Sequence, residues 1–369
     1  MTKRTTWALL GTVAVFLGVS GRSPAAPPTI EDLAKLPTTG LLGQAGENVV
    51  ERYVASWTEE LRDAKTPETV KRAIENGRVG YRANSGAGYQ VEYAKKVAAA
   101  APACLKLDGD PLRRLKEINL AILVSEFDRY TILPMLEAMA AHENPGVRYW
   151  AARGFRETGK RFLVQGGRYA RVMADTLEKL GLTDPAGPVV TEAIVALGEY
   201  SGEESPGGKA LAAALAKVWL ARCQEVLAGR EGMADVIRRS LRVVPRVAQM
   251  HMDPQTRTPQ ARKAALQMLA DAMDAASRAF AGGAGGEDIA QTKALQRLLI
   301  GIETSAAAMF GVNERPVSGV LAGKEPLAVQ RVQVRLKVNV FWTPKFQAEG
   351  VTSQVKAPAT APATTRSAG

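Results

Sequence analysis

The chain has 369 residues, 46% of them hydrophobic, and its 48 Lys and Arg outweigh 37 Asp and Glu for a formal charge of +11. That length is long for one globular core but natural for a repeat array, and two cysteines are too few for a small scaffold stapled by disulfides. The basic balance invites an anionic partner.

In chain order, Lys3 and Arg4 precede the apolar run Trp7 to Val19, and small residues and prolines follow through Pro28. This order reads as a secretory signal peptide over 1–25, with Ser23-Pro-Ala25 or Val19-Ser-Gly21 as the cleavage box. The run is shorter than the roughly 20 residues a spanning helix needs, so membrane spanning is not expected. The expected location is therefore periplasmic or secreted. There the anionic partner is a protein or an envelope polymer in preference to nucleic acid.

Residues 26–45 read as a linker. From Gly46, Val49, Val50, Tyr53, Val54, Trp57 and Leu61 recur at helical spacing and give one apolar face. Thr66-Pro67 starts the next helix, 81–89 reads as a loop, Tyr89 to Ala101 resumes a helix, and Asp110-Pro111 opens another. Tyr130 to Ala141 pairs with that one, with Pro134 expected to bend it. A polar residue followed by proline recurs at Asn144-Pro145, Asp184-Pro185 and Thr258-Pro259, and the five prolines are 44, 34, 40 and 74 positions apart. Such punctuation stops one helix and nucleates the next. The segment from Asn144 also echoes the one from Asp184: Val147, Ala151, Phe155 and Glu157 align with Val189, Ala193, Leu197 and Glu199 at an offset of 42. After Thr258-Pro259, helices are expected over 261–280 and 287–310, broken by the glycines of 282–286. A helical period near forty predicts stacked hairpins, hence an all-α chain with an alpha-solenoid over 46–310.

Asn144-Pro-Gly-Val-Arg-Tyr-Trp-Ala-Ala152 resembles the second-helix start of HEAT-like repeats, where proline opens the helix, a Val-Arg pair follows and alanines permit close approach. Val189-Val190 lacks the arginine, and Ala261-Arg262 keeps it without the valine. The resemblance implies a scaffold that binds proteins along a surface, and implies no reaction.

One segment of the remaining 311–355 reads differently. Val332, Val334, Leu336, Val338 and Val340 alternate with Gln333, Arg335, Lys337 and Asn339, which predicts a β-strand within 329–340. A strand needs a partner edge. A neighbouring irregular segment, a binding partner or a second copy of the chain would each provide one. The Pro-, Ala- and Thr-rich stretch 356–369 reads as a disordered tail.

No catalytic, cofactor or metal set emerges. His142 and His251 are far apart, and His142 reads as a helix-end cation. His251-Met-Asp253 lacks a third ligand, Cys104 and Cys223 form no CxxC, and 203–210 reads as a hairpin turn although it faintly resembles a phosphate loop. The cysteines read as buried apolar residues or as a single bridge. Two basic groupings stand out. Arg153, Arg156 and Lys160 share a helix face among aromatics, and Arg238, Arg239 and Arg242 repeat the pattern. Their readings are a solvated face or a stripe that binds carboxylates or phosphates. The expected function is thus a non-enzymatic exported scaffold, with a self-assembling envelope protein as one alternative. A polysaccharide-acting enzyme recruiting Glu203, Glu204 and Asp235 is another.

Overall fold

The computed structural model describes residues 26–250, 252, 255, 257–283 and 288–356. The signal peptide expected over 1–25, His251, Asp253 and the part of the expected tail beyond Lys356 lie outside the described residues. All regular structure among the described residues is helical. The order begins with α1 (Ile30–Ala34), α2 (Gln44–Asp63), α3 (Pro67–Arg82), α4 (Ala87–Ala100), α5 (Arg113–Ser125), α6 (Leu133–Ala140), α7 (Pro145–Gln165) and α8 (Gly167–Thr183). It continues with α9 (Gly187–Tyr200), α10 (Pro206–Leu227), α11 (Met233–Ser240), α12 (Val244–Val247), α13 (Pro259–Ala281) and α14 (Ile289–Phe310). The last three are α15 (Pro316–Ala322), α16 (Leu327–Lys337) and α17 (Thr343–Ala348).

The polar-plus-proline punctuation acts locally as expected. Thr66, Asn144 and Thr258 accept from the Thr69, Gly146 and Ala261 N–H groups, with a proline in each first turn. Each side-chain oxygen satisfies an amide that the helix leaves unpaired, and the proline removes one it does not need. Asp110 and Asp184 accept from Leu112 N–H and Ala186 N–H, so there the helix starts two or three residues later. Pro134 also lies in a first turn, that of α6, and starts the helix instead of bending it. The stretch 26–45 is more than a linker: α1 carries a Thr29–Asp32 capping box and buries Leu33 completely.

The helices stack in two rows. Each of α3, α5, α7, α9, α11 and α14 packs on the next, and α2, α4, α6, α8, α10, α13 and α16 do the same. Chain neighbours such as α7 and α8, α8 and α9, or α13 and α14 cross between the rows. One continuous apolar core runs between them from Leu33 to Val355, with Trp57, Phe155, Trp219, Phe280 and Trp342 at its centre. Two glycines set the spacing in the first row. A methyl at Gly159 would stand 2.3 Å from the Tyr200 ring, and one at Gly198 would stand 1.6 Å from Val243 Cγ2. Cys104 and Cys223 are separate, buried free thiols, and burial pushes the Cys104 thiol up to about 11. His142 Nδ1 accepts from the Asn144 N–H and Nε2 faces Leu105 O. His142 thus lies at the end of α6 as expected, and its ring joins that end to Leu105, to Asn144 and, at 3.5 Å from Nε2, to Glu117 of α5.

The expected strand over 329–340 is instead α16, continued by a π-helical turn over Val338–Trp342. Its inner face buries Val334 and Val338. Arg335 Nη1 donates to Asp274 Oδ1 and Ser277 Oγ of α13, each at 2.8 Å. Its outer face carries Val329, Val332, Leu336 and Val340, all exposed. Two apolar stripes, each at about one-turn spacing and offset by two residues, together produce a period of two in sequence. Trp342 and a buried carboxylate anchor the segment: Glu303 accepts from the Trp342 indole N–H at 2.9 Å and from the Val317 and Ser318 N–H groups.

The helix makes a prediction that a strand would not. In a strand Val332 and Val334 share a face, whereas here Val332 is 69% exposed and Val334 fully buried. Val334→Asp should cost about 3 kcal/mol or more by burying an unpaired charge, while Val332→Asp stays within about 0.5 kcal/mol. Urea denaturation of the two variants measures both; equal losses would contradict the helix.

Candidate functional site

The sequence-predicted basic residues lie on the first row of helices. On α7, Arg156 Nη1 lies 2.7 Å from Glu192 Oε1 of α9, and Arg242 Nη2, just after α11, lies 3.3 Å from Glu192 Oε2. The two basic groupings therefore meet on one buried carboxylate that the sequence reading did not single out. Arg156 also contacts Glu157 at 3.0 Å, and Glu157 faces Arg153 at 3.8 Å. The result is a continuous chain of charges, Arg153–Glu157–Arg156–Glu192–Arg242, across α7, α9 and the turn after α11. Burial opposes the charge on Arg156, but Glu157, Glu192 and Glu199 together overcome it and hold its pKa above the usual value. Arg153 rests over the Trp150 ring at 5.0 Å, a cation–π contact. Arg238 pairs with Asp235 on its own helix at 3.0 Å, so Asp235 is committed to that pair. Lys160 and Arg239 are exposed and form no ion pair among the described residues.

Glu192 was legible as an anomaly. It is a lone carboxylate inside the apolar run Val189 to Leu197, and a charge in such a place needs a partner. Which arginines would supply it depends on packing alone.

The ridge leads to a cleft. Arg246 pairs with Glu199 at 2.9 Å, and both line a chamber of about 660 Å³ beside the turn that joins α9 and α10. A second chamber of about 590 Å³ shares Gly202, Glu203, Glu204 and Thr258 with the first and runs between α10 and α13. Its walls include Leu215, Trp219, Ala264 and Met268, and the Trp219 indole N–H is spent on Met268 O at 2.9 Å. Glu203 and Glu204 are exposed at its rim.

Asp271 of α13 also lines this chamber and is 4% exposed. Its Oδ1 accepts from the Gln354 N–H at 2.7 Å and from Gln267 Nε2 at 3.0 Å. Gln354 belongs to the extended segment 351–356 that lies along α13, where Gln267 Nε2 also donates to Thr352 O and Ser353 Oγ to Asp274 Oδ2. Burial raises the Asp271 pKa to about 6; hydrogen bonds from Gln354, Gln267 and Ser353 oppose the rise, and repulsion from Asp274 adds to it. No group of three or more His, Cys, Asp or Glu suited to a metal ion occurs among the described residues.

Two measurements probe this charge arrangement. Glu192→Ala leaves the half-buried Arg156 with only the exposed Glu157 as partner and should cost about 2–3 kcal/mol, whereas removing the exposed Arg242 guanidinium should cost less than about 1 kcal/mol. Chemical denaturation separates the two. Asp271 takes up its proton at about pH 6 when folded but near 3.8 when unfolded. Between those values the folded state holds the extra proton, so stability falls as pH rises, by a total on the order of 2–3 kcal/mol, and levels off above pH 6. Asp271→Asn should remove that slope and melt higher than the native chain at pH 7. A native Tm that rises in step with the variant's between pH 4 and 6 would contradict the assignment.

No known protein family matches the chain, and no curated protein matches it. Among solved structures, the chain is similar to a crystal structure of an engineered protein. That likeness has 14% identity and a TM-score of 0.25, covers 84% of this chain and 88% of the other, and is too weak to bear on fold or function.

Proposed function

We propose that this protein is an exported, non-enzymatic scaffold, an alpha-solenoid of HEAT-like hairpins that holds an acidic protein or anionic envelope polymer on the α7–α9–α11 ridge. The two rows of helices support the solenoid reading, because each hairpin buries its apolar face only against its neighbours. The order of charge, apolar run and small residues over 1–25 supports export.

The observation that carries the binding reading is the lock on Glu192. A buried carboxylate holds Arg156 and Arg242 from different helical segments, and the neighbouring turns of the same two segments carry Arg153, Lys160 and Arg239. The arginines held on Glu192 lose less entropy when they meet a row of carboxylates than free side chains would, and the exposed Lys160 and Arg239 add charge beside them. The test uses Lys160→Glu and Arg239→Glu, exposed residues outside the lock, with immobilised poly-glutamate as probe. The double variant should keep its Tm, bind at least tenfold more weakly and show a shallower salt dependence. Unchanged affinity would refute the ridge as the binding surface.

A second reading rests on the outer stripe of α16. Four exposed aliphatic residues on one face of the last second-row helix leave that row without a polar end, which is where a second copy of the chain would add. In this reading the 329–340 segment still mediates self-association, but through a helix. Val332→Lys with Leu336→Lys should lower the mass measured by light scattering if the protein assembles this way.

A further inference from the structure

We infer that the chamber between α10 and α13 is a binding site for a small organic cation: a protonated amine on an apolar, ring-sized body. This inference is independent of the ridge and of its anionic partner.

The volume of about 590 Å³ is within the range of small-molecule sites, which are mostly apolar with a few placed polar groups. The apolar walls come from α10 and α13, where Ala212, Ala216 and Ala264 line the chamber together with the largely buried Leu215, Trp219 and Met268. The buried charged group of the lining is Asp271. Its backbone and amide donors are neutral, and no lysine or arginine forms an ion pair with it among the described residues. A carboxylate held in such a place lacks a counter-charge, and an ammonium that enters the chamber supplies one beside a buried group, where the attraction is stronger than in open solvent. That missing counter-charge is also why burial pushes its pKa up.

The rim agrees in sign. Glu203 and Glu204 flank the mouth against the single exposed Lys209, while Arg246 in the adjoining chamber is already paired with Glu199. An acidic mouth on a chain of formal charge +11 gathers cations where the rest of the surface repels them. The same residues disfavour the anionic ligands that the ridge attracts.

The experiment is calorimetric titration of the full chain at pH 7.5 with tryptamine, with indole-3-propionate and 3-methylindole as the carboxylate and uncharged controls. Tryptamine should bind with one-to-one stoichiometry, at least tenfold tighter than indole-3-propionate. Asp271→Asn should weaken tryptamine at least tenfold and leave 3-methylindole unchanged, and Ala264→Leu, which fills the chamber, should weaken both. A circular-dichroism melt of each variant confirms folding. Equal binding of amine and carboxylate, full affinity in Asp271→Asn, or no heat from tryptamine at millimolar concentration would each overturn the proposal.

Discussion

Close approach of one helix backbone to the next is the constraint on which the structure depends. Successive helices of a row touch where one side offers no side chain. Gly159 receives the Tyr200 ring, Gly198 receives Val243, and Gly181 receives Val218 in the contact between α8 and α10. Packing at that distance recovers dispersion contacts a wider gap would forfeit. It also fixes rotation. Tyr200, seated on Gly159, donates its hydroxyl to Arg156 O at 2.8 Å, and Val243, seated on Gly198, brings Arg242 against α9. The charges on Glu192 meet because the glycines beside them let the backbones close.

The same logic governs the joints between neighbouring helices of a row. Arg148 of α7 donates to the His142 and Glu143 carbonyls and grips Asp184 with two hydrogen bonds, of 2.5 and 3.0 Å. Asp184 in turn shapes the turn into α9 through the Ala186 N–H. One arginine thus ties the loop before its own helix to the loop before the next helix in its row. Bidentate, largely buried geometry makes this a stronger joint than exposed pairs such as Arg171 with Asp175, whose 3.9 Å separation in solvent adds little.

At the far end the chain folds back on itself. Glu303 gathers two amides of α15 and the Trp342 indole, and segment 351–356 then lies along α13 with Val351 and Val355 buried. That return shapes the chamber as well as covering the core. The Gln354 N–H reaches Asp271 and stabilises its ionised form, while the covering segment deepens the burial that destabilises it.

The sequence by itself determined the helical class, the starts of α3, α7 and α13, and the two basic faces, because capping and amphipathic spacing act within a turn or two of chain. The carboxylates Glu192 and Asp271 were visible in the sequence but could not be given partners. Arg156, Arg242 and Gln354 are 36, 50 and 83 positions away, and only packing brings them near. Only the tertiary structure decided between strand and helix at 329–340. Apolar residues at alternate positions describe one buried face of a strand or two opposite faces of a helix equally well. The contact of Val334 and Val338 with the core, and of Arg335 with Asp274, selects the helix, and no local signal carries that information.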